Sequence, residues 1–381
     1  MTQTIQPQRF YSLDVLRGIA ALSVVLWHWQ HFFLPMNKAG VAFSPRSQPL
    51  YDFFYVFYNY GERAVELFFC ISGFVFFWLY SKRISDGEIS FGSFSILRLS
   101  RLYPLHFATL VFVAVAQLVY ISMTHGYFTY PFNDAYHFVL NLFFVSSWGF
   151  QKGYSFNYPV WSVSIEVLLY ALFFVFCRLF QRNALAVIAA IFIGHFVIYN
   201  LNHFISKGVE CFYLGGLAFL VYERIIKAGD TLKVSSWLPY LVFGAWLLAI
   251  LSTYYAEALE HAEMPMLLRK IASNWVVFFL FPSTILSLAL VETIRGTLGK
   301  RVSFIGDLSY SSYLLHFPLQ LFTAIIVTAL ALGQELFYST WFMVAFYLVL
   351  IGLSLLSHSY FELPMQRFLR QRFAVKPAVA V

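Results

Sequence analysis

Charged side chains are scarce in this sequence: Asp, Glu, Lys and Arg make up 11% of its 381 residues, where a soluble domain carries about 25%. With 60% hydrophobic residues and 21% aromatics, there is too little polar surface to cover a soluble fold, and the composition is that of a membrane protein. Cysteine is nearly absent. Cys70, Cys177 and Cys211 each fall inside an apolar run without metal-like spacing or pairing, so they read as small buried hydrophobes and no metal is expected. No small-residue cleavage site follows the first apolar segment, which is therefore expected to be retained. Linkers, low-complexity tracts and solenoid-length repeats are missing too, so 1–381 reads as a single all-α membrane domain with no appended soluble domain. The net charge of +7 comes from basic residues at the ends of apolar segments. That placement fits topology signals and contact with anionic membrane lipid, and no nucleic-acid partner is expected.

A membrane-crossing helix needs roughly 20 mostly apolar residues. Ten stretches qualify, about 12–34, 63–80, 102–123, 160–178, 184–203, 208–225, 236–256, 271–291, 306–331 and 339–361. With the N-terminus in the cytoplasm, and Arg17 set aside, seventeen Lys and Arg fall on the cytoplasmic side and seven on the other. The asymmetry predicts both termini in the cytoplasm. His137–Trp148 is apolar but too short to cross, and counting it would invert every later loop, so it reads as re-entrant or interfacial.

The remaining polar residues stand out against this background. The first helix, LDVLRGIAALSVVLWHW, carries Asp14, Arg17 and His28. Arg17 and His28 are eleven positions apart and share a face, roughly 16 Å from each other along the axis, with Asp14 a turn below Arg17. Ionisable groups in a membrane helix mark functional sites by default, although Asp14 and Arg17 also fit an end-of-helix ion pair and His28 an interhelical hydrogen bond. In FGSFSILRLSRLYPLH, read as a loop entering the third helix, Arg98 and Arg101 lie on one face if helical, where guanidiniums can clasp a phosphate or simply mark topology. Pro104 suits a first turn or a kink. WSVSIEVLLY places Glu166 at a depth matching that of His28, and ELFFCISGF puts the small residues Ser72 and Gly73 mid-span, where they favour close packing. GDLSYSSYLLHFPL brings Ser309, Tyr310 and His316 into the ninth helix ahead of Pro318, and Glu362 near the end of the tenth reads as structural. The aromatic run Tyr51–Tyr60 fits an interfacial belt better than a sugar-stacking platform.

Taken in order, LDVLRGIAALSVVLWH, ELFFCISGF, RLSRLYPLH, WSVSIEVLLY, DLSYSSYLLHFPL and FELP span nearly the whole chain, and together they resemble the acyltransferase-3 family of integral membrane O-acyltransferases. The resemblance implies a roughly ten-helix enzyme, in a bacterial cytoplasmic membrane, that moves an acyl group, most commonly acetyl, from cytoplasmic acyl-CoA to a hydroxyl of an extracytoplasmic or lipid-linked glycan or a glycosylated small molecule. The family's basic residue and histidine fall on Arg17 and His28, and its paired arginines on Arg98 and Arg101. RLSRLYP departs from many members in having a single Arg98 where they carry consecutive basic residues. Joined to the residue reading, this makes Arg17, Arg98 and Arg101 the donor-binding set, His28 the general base and Glu166 the carboxylate that orients it. No serine or cysteine is placed as a nucleophile, which favours direct transfer. The competing class is a transporter or flippase for a lipid-linked or anionic substrate, since polar residues within a helix bundle also describe a path. The oligomeric state is left open.

Overall fold

Hydrocarbon leaves a backbone only helix or closed barrel, and the computed structural model, which describes residues 9–34, 43–258 and 274–373, is helical with no strand among them. The helices are α1 (Tyr11–Trp27), α2 (Tyr51–Tyr60), α3 (Arg63–Ser85), α4 (Phe91–Thr124), α5 (Ala135–Leu142), α6 (Tyr158–Phe180), α7 (Ala184–Asn200), α8 (His203–Ala228), α9 (Thr231–Tyr254), α10 (Val276–Arg295), α11 (Ser309–Ala329) and α12 (Thr340–Arg372). Eight of them, α3, α4, α6 and α8 to α12, are long and apolar enough to cross a membrane. The other two predicted stretches are helical as well. Along α1 the polar residues Asp14, Arg17 and Ser23 interrupt the apolar run, while α7 is a shorter apolar helix. Residues 271–273 of the eighth predicted stretch lie outside the described residues.

Two corrections concern boundaries. Phe91–Leu102 is the first part of α4 and not a loop, started by Ser90, whose hydroxyl accepts from the Ser93 N–H at 3.2 Å. Pro104 therefore sits inside a helix. At the other end of the chain α12 continues beyond 361 to Arg372, through a π turn at Ser357–Glu362.

The bundle has two hubs. Helix α8 packs against α3, α6, α7 and α10, and α11 packs against α1, α4 and α12; α1 touches both α3 and α11 and joins the groups. The α3–α8 contact depends on two glycines, because a Cβ on Gly73 would collide with the Phe212 carbonyl and one on Gly215 with that of Cys70. Small residues at such crossings let backbones meet, as Gly73 was expected to do. All three cysteines are buried and free. Away from the core, Leu185, Leu201, Tyr240, Trp341 and Leu348 are exposed apolar side chains, the surface that a lipid-facing bundle presents.

The stretch 125–157 between α4 and α6 contains the apolar segment that was too short to span, and there it forms the eight-residue α5 followed by turns. Asp134 caps α5, accepting from the His137 N–H at 2.9 Å. That bond, with the imidazole of His137 beside it, holds the Asp134 carboxyl below its usual range.

Candidate active site

Both described ends of the chain border one cavity of about 420 Å³. Six arginines line it: Arg9 and Arg17 from the start of the chain, Arg98 and Arg101 from α4, and Arg367 and Arg370 from the end of α12. The first two are neutralised. Arg9 bonds Asp14 at 2.6 Å and Asp307 at 2.5 Å, and Arg17 reaches Asp14 at 3.2 Å while donating to the Ser309 hydroxyl at 3.0 Å and the Gly306 carbonyl at 2.9 Å. Arg98 is held differently, over the Phe76 ring at 4.4 Å and beside Tyr170 at 5.2 Å, a cation–π setting in which its buried Nε has no hydrogen-bond partner. Among the described residues Arg101 makes no hydrogen bond or ion pair, and none of Arg98, Arg101, Arg367 and Arg370 pairs with a carboxylate. Unpaired guanidiniums crowded into one cavity are a receptor for phosphate.

Two further carboxylates face the cavity. Glu166 accepts from the Ser72 hydroxyl at 3.0 Å and the Tyr170 hydroxyl at 2.7 Å. Glu362, set by the π turn of α12, accepts from Ser311 at 2.5 Å and Ser357 at 2.8 Å. The inner wall includes Tyr313, whose hydroxyl donates to the Pro159 carbonyl at 2.6 Å and meets Ser162 at 2.8 Å.

Behind Tyr313 lies a cluster of three buried histidines. At Trp27 the first helix tightens into a 3₁₀ turn over His28–Phe33, in which side chains three apart eclipse, so His28 and His31 stack with ring centroids 4.6 Å apart. His316 of α11 lies beside His28 with the two rings nearly parallel and their centroids 4.9 Å apart. The hydrogen bonds fix each ring's tautomer. A carbonyl only accepts, so His316 Nδ1, 2.6 Å from the Tyr313 carbonyl, carries its proton and His316 Nε2 is an acceptor. His28 Nδ1, 2.9 Å from that Nε2, must then be the donor. Among the described residues nothing hydrogen-bonds the Nε2 of His28, which keeps a free lone pair. His31 is satisfied on both sides, by Gln320 Oε1 at 3.1 Å and by the Tyr130 hydroxyl at 2.9 Å, and Gln320 Nε2 donates to the His28 carbonyl at 2.9 Å.

Of the residues singled out from sequence, Arg17, Arg98, Arg101 and Glu166 share the cavity, and His28 does not line it. The side chain hydrogen-bonded to His28 is His316, and Glu166 instead accepts from Ser72 and Tyr170. Matching depth along two helices does not bring their side chains together: α6 packs mainly against α8 and the end of α3, while His28 lies where the end of α1 meets α11. The residues that sequence reasoning left without a role are His31, Tyr313, Arg367 and Arg370. Two signals were present, the three-residue spacing of Tyr310, Tyr313 and His316 on α11 and the same spacing of Arg367 and Arg370, which repeats that of Arg98 and Arg101.

The chain is 37% identical over 108 residues to protein 2 of the picA locus of Rhizobium radiobacter, covering 28% of this chain and 46% of that protein. It is 30% identical over 178 residues to the acyltransferase MdmB of Streptomyces mycarofaciens, covering 46% and 41%. A protein of Acidianus two-tailed virus, named as a candidate acetyltransferase, is 24% identical over 314 residues, covering 79% and 80%. The matches thus span less than half the length of the first two relatives. No solved structure matches the chain. The family model for the acyltransferase domain matches residues 10–358, from the arginine-bearing start of α1 to the π turn of α12, so the cavity and the histidine cluster both lie within a chain that belongs to the acyltransferase-3 family.

Proposed function

We propose that this protein is a membrane O-acyltransferase in which acyl-CoA enters the arginine-lined cavity from the side of the chain ends, and His28 activates an acceptor hydroxyl arriving from the opposite side. The observation that carries the reading is the tautomer relay from the Tyr313 carbonyl through His316 to His28, which leaves His28 Nε2 as a lone pair ready to take a proton. The hydroxyl oxygen attacks the thioester carbonyl carbon as its proton passes to His28 Nε2. The carbon–sulfur bond breaks, and the departing thiolate recovers that proton, giving an ester and free CoA. His316 accepts throughout from His28 Nδ1–H and holds the ring in place as the imidazolium forms, the part an aspartate plays in a hydrolase triad. Glu166 belongs to the donor side of this scheme, where it and the arginines shape the cavity. Tyr313 stands between the cavity and the histidines, so transfer requires its side chain to swing away from Ser162 and Pro159.

In this reading the donor is acetyl-CoA, the acceptor a hydroxyl on an extracytoplasmic or lipid-linked glycan or a glycosylated small molecule, and the setting a bacterial cytoplasmic membrane with both termini in the cytoplasm. The net excess of arginine at the mouth supports a phosphorylated donor. The test is release of CoA thiol from acetyl-CoA by the purified protein, with cell-envelope glycan as acceptor. Acceptor-dependent release is expected from the wild type, and a loss of about 10²-fold or more in kcat from His28→Ala. Equal turnover by His28→Ala would refute the base, and silence with acetyl, succinyl and longer donors would favour transport.

A further inference from the structure

The mouth of the cavity is built from two helices. Arg98 and Arg101 stand three apart on α4, and Arg367 and Arg370 stand three apart on the last section of α12, so each helix presents one guanidinium pair on one face. The two are locked together, because Arg370 Nε donates to the Ser100 hydroxyl at 3.3 Å and its Nη2 to the Leu97 carbonyl at 3.2 Å, residues that alternate along α4 with Arg98 and Arg101. The π turn at Ser357–Glu362, pinned where Glu362 accepts from Ser311, sets the direction in which Leu363–Arg372 leaves the bundle. The cavity's carboxylates are committed elsewhere. Asp14 and Asp307 hold Arg9 and Arg17, and Glu166 and Glu362 accept from hydroxyls. Six arginines against four carboxylates leave the cavity a net excess of two positive charges, presented at the mouth as two separate guanidinium pairs.

We infer that the Arg367–Arg370 pair is a second phosphate clasp, which binds the donor's ribose 3′-phosphate while Arg98 and Arg101 hold its diphosphate. This rests on the acyl-CoA reading and deepens it. A donor that fits is phosphorylated at two separated points, as a coenzyme A thioester is through its diphosphate and its ribose 3′-phosphate. A thioester carried on a pantetheine arm with a single phosphate leaves one clasp empty. The last section of α12 is then part of the donor site and the source of its preference for a nucleotide thioester. An anionic lipid headgroup has the same phosphate chemistry, and the test separates the two sources.

Arg367 is exposed and makes no hydrogen bond or ion pair among the described residues, so its replacement leaves packing intact. Initial rates of thiol release are compared for acetyl-CoA and acetyl-dephospho-CoA, which lacks the 3′-phosphate, using wild type, Arg367→Gln and Arg367→Lys in nanodiscs of phosphatidylcholine, with and without phosphatidylglycerol. The wild type is expected to favour acetyl-CoA by about tenfold or more in kcat/KM. Arg367→Gln should abolish that preference through KM, with acetyl-dephospho-CoA turned over as before, and Arg367→Lys should restore part of it. Equal losses on both donors, an unchanged preference, or an effect of Arg367→Gln seen only with phosphatidylglycerol would each overturn the clasp. If the wild type turns over neither thioester, it is the acyl-CoA reading that fails.

Discussion

His28 keeps one nitrogen free because its other nitrogen is engaged by a ring whose own proton is spoken for. His316 Nδ1 is committed to the Tyr313 carbonyl, so its Nε2 has only a lone pair to offer, and His28 answers with its proton. The assignment separates two single variants that a simple polar-cluster view treats alike. His316→Ala should lower kcat by about 10²-fold and alter the shape of the pH–rate profile, with donor KM within about twofold, since it frees His28 to rotate and to change tautomer. His316→Gln, which supplies an acceptor oxygen, should recover part of the loss. Glu166→Gln should act on the donor side, raising KM for acetyl-CoA and leaving the pH profile in place. A pH profile that moves with Glu166→Gln and stays fixed with His316→Ala would restore the carboxylate as the partner. The reason Glu166 looked right from sequence is that depth can be read from helical rise and facing cannot: His28 and His316 are 288 positions apart, and nothing in either segment names the other.

At the scale of elements, proline does work in α11 that a regular helix would not allow. Pro318 has no N–H for the carbonyl of Leu314, four residues earlier, and that carbonyl accepts instead from Asn157 Nδ2 at 2.9 Å. Asn157 immediately precedes α6, so the bond ties the entry of α6 to the helix that carries His316. Asn157→Ala should destabilise the folded protein by about 1–3 kcal/mol, because it strands a buried carbonyl. In a Pro318→Ala background, where the restored N–H can satisfy Leu314, the same change should cost much less. Thermal unfolding of the four proteins in detergent reads this coupling, and additive losses would show that Asn157 acts some other way. The proline was visible in the sequence; the group that takes the carbonyl it frees, 157 positions from that carbonyl, was not. Phe91–Leu102 was missed as helix because serines and arginines break its apolar pattern, and the Ser90 cap with packing against the end of α12 makes up for it.

Across the whole molecule the apolar pattern was the legible part, since lipid forces each crossing segment to satisfy its own backbone and so writes helices as long apolar runs. The grouping of those helices around α8 and α11, and the convergence of both described chain ends on one cavity, depend on long-range packing such as the Gly73–Gly215 crossing. That convergence gives the molecule a direction. Arginines gather at one end of α1 and the histidine cluster sits at its other end, so donor and acceptor are proposed to meet from opposite faces of the membrane. The most direct test uses sealed membrane vesicles of both orientations, with acetyl-CoA and an impermeant glycan acceptor placed on chosen sides. Thiol should be released only when acetyl-CoA is on the face that carries the chain termini and the acceptor is on the other. Turnover with both substrates confined to one face would contradict transfer across the bundle.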